Sequence, residues 1–160
     1  MRQLVPVAWM NPLRTRSAWI ISVPPPRFPF AQRYGIISTM TWDVEYTDEF
    51  EAWWDTLNPG EQKAVSTSVE LLKEEGSTLK SPYSSGVRGS KHDHMRELRT
   101  QHAGQPYRTL YAFDPRRTVI LLIGGNKTGD NRWYEKFVPI ADRLYDEHLE
   151  QLKSERLING

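Results

Sequence analysis

Residues 95–128 read MRELRTQHAGQPYRTLYAFDPRRTVILLIGGNKT, and the fold follows from how this stretch divides. Met95–Thr100 predicts a first strand, with Met95, Glu97 and Arg99 on one face and Arg96, Leu98 and Thr100 on the other. Tyr107–Phe113 predicts a second strand, connected through Ala103-Gly104-Gln105-Pro106. A turn at Asp114-Pro115-Arg116-Arg117 leads to a third, Val119–Ile123, whose unbroken apolar run suits a central strand covered on both faces.

Working outward, Trp42, Val44 and Tyr46 alternate with Asp43, Glu45 and Thr47, the pattern of a half-buried strand. Asp48 and Glu51 resemble a capping box that opens a short helix, with Phe50, Trp53, Trp54 and Leu57 as its apolar stripe. Asn58-Pro59-Gly60-Glu61 supplies an N-cap, a proline at the first helical position and a glutamate three after the cap. Val65, Val69 and Leu72 continue that second helix and Gly76 ends it. Residues 77–94, rich in Ser, Gly and bases, predict a loop, as does the polar, basic stretch Gly124–Lys136. A last helix runs from about Pro139 to Lys153, with Ile140, Ala141, Leu144, His148 and Leu152 near one face. Pro139 is equally compatible with opening that helix and with kinking one that starts near Asn131. The order β-α-α-β-β-β-α predicts an α+β domain, with two N-terminal helices and a C-terminal helix packed on a small antiparallel-rich sheet.

The domain is expected over residues 40–153, with a tail at 154–160. Residues 1–39 carry Pro6, Pro12, Pro24, Pro25, Pro26 and Pro29 and show no period of 2 or 3.6. They predict a flexible Pro-rich leader and make Met40 a candidate working start, the upstream residues then being read from a start codon placed too early. A role for this segment as a polyproline ligand is a weaker alternative. With 160 residues, 38% of them hydrophobic, and no cysteine, the chain is globular, has no disulfide framework or thiolate metal site, and suits a cytoplasmic setting. No run approaches the roughly 18 apolar residues of a membrane helix. The net charge of +1 is unevenly laid out: residues 1–40 carry +5, 41–79 carry −8, 80–136 carry +6 and 137–160 carry −2. The basic segment suits a polyanion, and the acidic helices over 48–75 suit a basic protein surface, against the plainer reading of ordinary solvated faces.

If neighbouring strands pair in order, Arg99, Arg108 and Lys127 converge at one end of one sheet face. Three cations in one place suit a phosphodiester, whose charge rises in the transition state, and arginine adds a fork that fits phosphate oxygens. The plainer reading is that each guards a sheet edge. Cleaving RNA through its own 2′-hydroxyl needs a base and an acid, for which Glu97, His94, His92 and Tyr134 are candidates. Arg96, Lys91 and Arg132 are candidate RNA contacts, and Trp133 is either core or a base-stacking platform. His102 and His148 read as ordinary loop and helix residues. His92-Asp93-His94 lacks further ligands at the expected spacing, so no metal and no cofactor is expected. Gly124-Gly125-Asn126-Lys127-Thr128 lacks the glycine spacing and βαβ unit of a phosphate-binding loop.

Three motifs in this order resemble a known family. They are Met95-Arg96-Glu97-Leu98-Arg99, then Tyr107-Arg108-Thr109-Leu110-Tyr111-Ala112-Phe113-Asp114, then an apolar strand leading to Gly125-Asn126-Lys127-Thr128, followed by an amphipathic helix. Over about residues 41–153 the chain resembles the HigB-like branch of the RelE/ParE toxin superfamily. The resemblance implies the toxin of a type II toxin–antitoxin system: a metal-independent, ribosome-dependent endonuclease of messenger RNA. It implies a cognate helix-turn-helix, HigA-like antitoxin, and contact with operator DNA only through the antitoxin complex. It implies that Arg99 is the strand arginine of the motif, that Arg108 contacts the scissile phosphate, and that Lys127 is the basic residue after the last strand. Trp133 or Tyr134 then approximates a catalytic C-terminal aromatic. The chain departs from RelE in carrying Met95 and Glu97 where RelE has lysines, which leaves the base open between Glu97 and a histidine. The stretch from Asn126 to Val138 is also longer. The alternatives are a ParE-like toxin that binds DNA gyrase without catalysis, for which Arg99, Arg108 and Lys127 need not converge, and an inactive remnant that only binds the antitoxin.

Overall fold

The computed structural model describes residues 11–12 and 41–158. The expected leader lies outside the described residues, save Asn11–Pro12, a two-residue strand β1. There follow β2 (Val44–Tyr46), α1 (Asp48–Asp55), α2 (Pro59–Glu75), a 3-10 turn (Gly76–Thr78), β3 (Ser84–Gly86), β4 (Arg96–His102), β5 (Gln105–Phe113), β6 (Val119–Asn126) and α3 (Trp133–Ser154). The strands form one sheet in the order β1-β2-β6-β5-β4-β3. β1, β2 and β6 run parallel, and the rest are antiparallel. This is the α+β arrangement expected from the sequence, with β6 and β5 central. No helix among the described residues is long and apolar enough to cross a membrane.

The sheet is covered on both faces, which is why β6 reads as a continuous apolar run. On one side α1 and α2 bury Phe50, Trp54, Val65, Val69 and Leu72 against Val44, Leu98, Tyr111 and Leu121. On the other, α3 buries Trp133, Val138, Ala141, Leu144 and Tyr145 against Met95, Leu110, Ala112, Ile120 and Leu122. Between Leu110 and Tyr111 the register with β6 slips, so that Leu110 faces Ile123 and Tyr111 faces Leu121. The bulge sends Leu122 and Ile123 into the same core and re-aims the strand beyond them.

Several local expectations are corrected. The cap of α1 is Thr47, not Asp48: its hydroxyl accepts from Phe50 N at 3.1 Å and donates to Leu122 O at 2.5 Å. That bond to β6 decides the boundary, and no local pattern reveals it. The capping box of α2 is as expected, with Asn58 and Glu61 each receiving the other's backbone N–H. The predicted loop over 77–94 contains β3, whose Ser-Ser-Gly sequence has weak strand propensity and is held by pairing with β4. The connection between β4 and β5 is the two-residue turn Ala103-Gly104, with φ of 49° and 75°, the backbone a tight hairpin requires.

β6 continues through Gly124, Gly125 and Asn126, although two glycines suggested a loop. Their missing side chains make room for tryptophans on opposite faces. A Cβ on Gly124 would lie 2.1 Å from the Trp53 ring, and one on Gly125 would lie 2.8 Å from Trp133 Nε1. α3 accordingly begins at Trp133, and Pro139 lies inside it, leaving the Glu135 carbonyl without its i+4 N–H. Gly124→Ala is expected to lower stability by about 1–3 kcal/mol through this overpacking. Gly86→Ala, with nothing within 4 Å of its Cβ, should stay within about 0.5 kcal/mol of the parent. Thermal melting of the two variants measures the contrast.

Candidate functional site

The β4–β5–β6 register places Arg99 directly opposite Arg108, and Arg108 opposite Gly125. Two like charges facing each other across a strand pair repel. The buried carboxylate of Glu97, two residues before Arg99 on the same face, sits between them. Its Oε1 accepts from Arg99 Nε at 2.8 Å and from Ser85 Oγ at 2.9 Å. Its Oε2 accepts from the Tyr134 hydroxyl at 2.5 Å and lies 3.6 Å from Arg108 Nε. Lys127 follows β6, and its Nζ stands 5.4 Å from the centre of the Tyr134 ring. Glu97, Arg99, Arg108, Tyr134 and Lys127 are therefore assembled at one end of the α3 face.

Burial raises the Glu97 carboxyl, but hydrogen bonds from Tyr134, Arg99 and Ser85, with the charge of Arg99, outweigh it and hold the group below its ordinary value. Burial first, then the bond to Glu97 and its negative charge, push the Tyr134 hydroxyl up, with Arg108 opposing. At neutral pH the centre is thus a carboxylate, a protonated phenol and three cations. Arg108 is the more enclosed arginine, with 12% of its side chain exposed against 37% for Arg99. Arg108 Nη1 donates to Tyr107 O at 2.9 Å, while Arg108 Nε is buried without a hydrogen bond.

The other predicted site residues lie elsewhere. Arg96 is on the opposite face, donating to Ser84 Oγ, the Tyr111 hydroxyl and Leu79 O, because it alternates with Glu97 along β4. Lys91, His92 and His94 tie their loop to α3. Lys91 and His92 pair with Asp146, and His94 Nε2 lies 3.1 Å from the Tyr145 hydroxyl. Burial, then the neighbouring His92, lower the His94 imidazole pKa. His94 thus contacts Tyr145, which stands eleven residues along α3 from the Tyr134 that bonds Glu97. Trp133 is 1% exposed beneath Gly125 and stacks on Phe137 at 4.5 Å, so its ring is core and offers no platform. Arg132 is exposed beside it and pairs with Glu135. Among the described residues no three His, Asp or Glu side chains gather as a metal would need. The residue that sequence reasoning missed is Ser85, whose role depends on β3, the strand hidden in a Ser/Gly-rich stretch.

Glu97 gives this site a pH signature. Its folded pKa is lowered from 4.5, so its stabilising contribution is complete above that value and is lost as pH falls below it toward the folded pKa. Glu97→Gln is expected to lower stability at pH 7 and to flatten the acid limb of the stability curve. Urea unfolding of parent and variant between about pH 3 and 7 measures both effects.

Comparison with known proteins places this arrangement in a family. The family described as "Phage derived protein Gp49-like (DUF891)" matches residues 52–146, which include all five clustered residues. The chain is 40% identical over 115 residues to a Mycobacterium tuberculosis protein described as "Putative toxin HigB2", covering 71% of this chain and 56% of that protein. It is 43% identical over 102 residues to another protein of the same organism, described as "Putative toxin HigB3", covering 63% of this chain and 88% of that one. The chain thus spans little more than half the length of the first relative and most of the second. It belongs to the phage-derived Gp49-like family.

Proposed function

We propose that this protein is the toxin of a type II toxin–antitoxin system, of the RelE/HigB kind, and that it cleaves messenger RNA on the ribosome in the cytoplasm with no metal ion. The observation that carries the reading is the gathering of Arg99, Arg108 and Tyr134 around the Glu97 carboxylate on one sheet face, with Lys127 against the Tyr134 ring. The relatives described as toxins support the wider assignment.

A phosphate drawn to Arg99 and Arg108 takes over part of the positive charge that now serves Glu97. The carboxylate then loses stabilising partners and its pKa rises, which makes it a better base for the 2′-hydroxyl of RNA. The 2′-oxygen attacks phosphorus, the bond to the 5′-oxygen breaks, and the products are a cyclic phosphate and a free 5′-hydroxyl. The guanidinium groups stabilise the added charge on the equatorial oxygens. Tyr134, protonated at neutral pH, is the acid for the departing oxygen, with Lys127 beside its ring to stabilise the phenolate. The Tyr134–Glu97 bond opens in the step, since attack in line puts base and acid on opposite sides of phosphorus. The partner is a helix-turn-helix, HigA-like antitoxin that reaches operator DNA on behalf of the complex.

Arg108→Ala is expected to abolish growth arrest and to slow cleavage by about 10²–10³, with fold and antitoxin binding retained. Controlled expression with mapping of RNA 5′ ends tests the reading. New ends inside translated messages support it, and full arrest by Arg108→Ala removes Arg108 from the mechanism. Intact messages with broken DNA would favour a gyrase-binding toxin.

A further inference from the structure

The edge strand β3 extends the site in a direction the sequence does not reveal. Its register pairs Ser84 with Leu98 and Ser85 with Glu97. One step further along, Arg99 N donates to Tyr83 O at 2.8 Å, so Tyr83 stands opposite Arg99. Ser85 donates to Glu97 and accepts from Arg99 Nη2 at 3.0 Å, which fixes its side chain on the site face. Tyr83 precedes Ser85 by two residues, as the last residue of the turn that leads into β3, and period-two alternation carried back from Ser85 assigns its side chain to that same face. The result is a row across three neighbouring segments: Tyr83, Arg99 and Arg108.

Tyr83 is 52% exposed, one of two large hydrophobic residues exposed among the described residues, the other being Leu157 near the end of the described chain. Among the described residues its ring and hydroxyl make no hydrogen bond or ring contact. A single exposed aromatic is unremarkable on its own. Its place in the row is what gives it meaning, because the residue that carries this unpartnered ring pairs through its backbone with Arg99, one of the cations that suit phosphate. Trp133, the aromatic that sequence position favoured for this task, is enclosed under Gly125 and cannot perform it.

We propose that Tyr83 is a base-stacking residue, receiving a nucleobase of single-stranded RNA next to the phosphate held by Arg99 and Arg108. The proposal rests on the phosphate reading of the cation cluster. Two interstrand spacings of about 4.8 Å set Tyr83 roughly 10 Å from Arg108, within reach of a base flanking that phosphate. Every base has a π-face, so stacking here adds affinity with little sequence preference. It acts on the bound substrate as well as on the transition state, and therefore on KM more than on kcat.

The test is fluorescence anisotropy of a labelled, non-cleavable 2′-O-methyl RNA decamer of mixed sequence with the full chain, alongside cleavage kinetics on a message bound to ribosomes. Tyr83→Ala should bind about tenfold more weakly and raise KM at unchanged kcat. Tyr83→Phe and Tyr83→Trp should bind like the parent. Tyr83→Ala should keep the parent's salt dependence, whereas Arg108→Ala should reduce the slope by about one. Parent-like binding by Tyr83→Ala would overturn the stacking role while leaving the phosphate site standing. Equal losses in the Ala, Phe and Trp variants would also overturn it, since phenyl and indole rings stack as well as phenol. No binding by the parent chain would overturn this inference, whereas the nuclease reading stands or falls separately with the mapping of RNA ends in translated messages.

Discussion

Arg99 and Arg108 face each other on adjacent strands, a pairing that ordinarily destabilises a sheet. The Glu97 carboxylate resolves it by accepting from one guanidinium and standing near the other. The same carboxylate collects Ser85 from the edge strand and Tyr134 from the last helix. One buried anion thus joins three strands and a helix, and contacts Arg99, Arg108 and Tyr134, while Lys127 lies against the Tyr134 ring. Stability and function are coupled there, because whatever draws the arginines away also releases the carboxylate.

The fold delivers Tyr134 to that anion through packing at Gly125. Trp133 needs the absent side chain of Gly125 to pack against β6, and Tyr134 follows it by one residue. Trp53 of α1 uses Gly124 in the same way from the other side. Further along, α3 is tied down by Asp142 and Asp146, which hold the loop of Ser90, Lys91 and His92. At the far end of the sheet His148 pairs with the buried Asp114, which also accepts from Arg116, itself bonded to Glu45. His92 and His94, candidate catalysts by sequence, bond Asp146 and Tyr145 of the helix that carries Tyr134.

Much of this was legible before any coordinates. Strand alternation put Glu97 and Arg99 on one face, and strand order brought Arg108 and Lys127 to the same end, because period-two geometry and hairpin connection are local properties. Where tertiary contacts decide the outcome, local reading failed. Gly124 and Gly125 suggested a loop because an isolated sequence does not show the two tryptophans that cover them. β3 was invisible because Ser84-Ser85-Gly86 earns its strand geometry from β4 alone, and with it went Ser85 and the position of Tyr83. Arg96, a candidate RNA contact by its charge, alternates with Glu97 along β4 and so lies on the other face.

In the proposed chemistry Glu97 holds Arg99 and Arg108 for a single phosphate. The most direct measurement is NMR of the two arginine Nε–H groups, titrated with a short 2′-O-methyl RNA. A shared phosphate site requires that both resonances shift together along one saturation curve, accompanied by the Tyr134 ring signals. Movement of one arginine alone, or of neither while RNA binds, would contradict it.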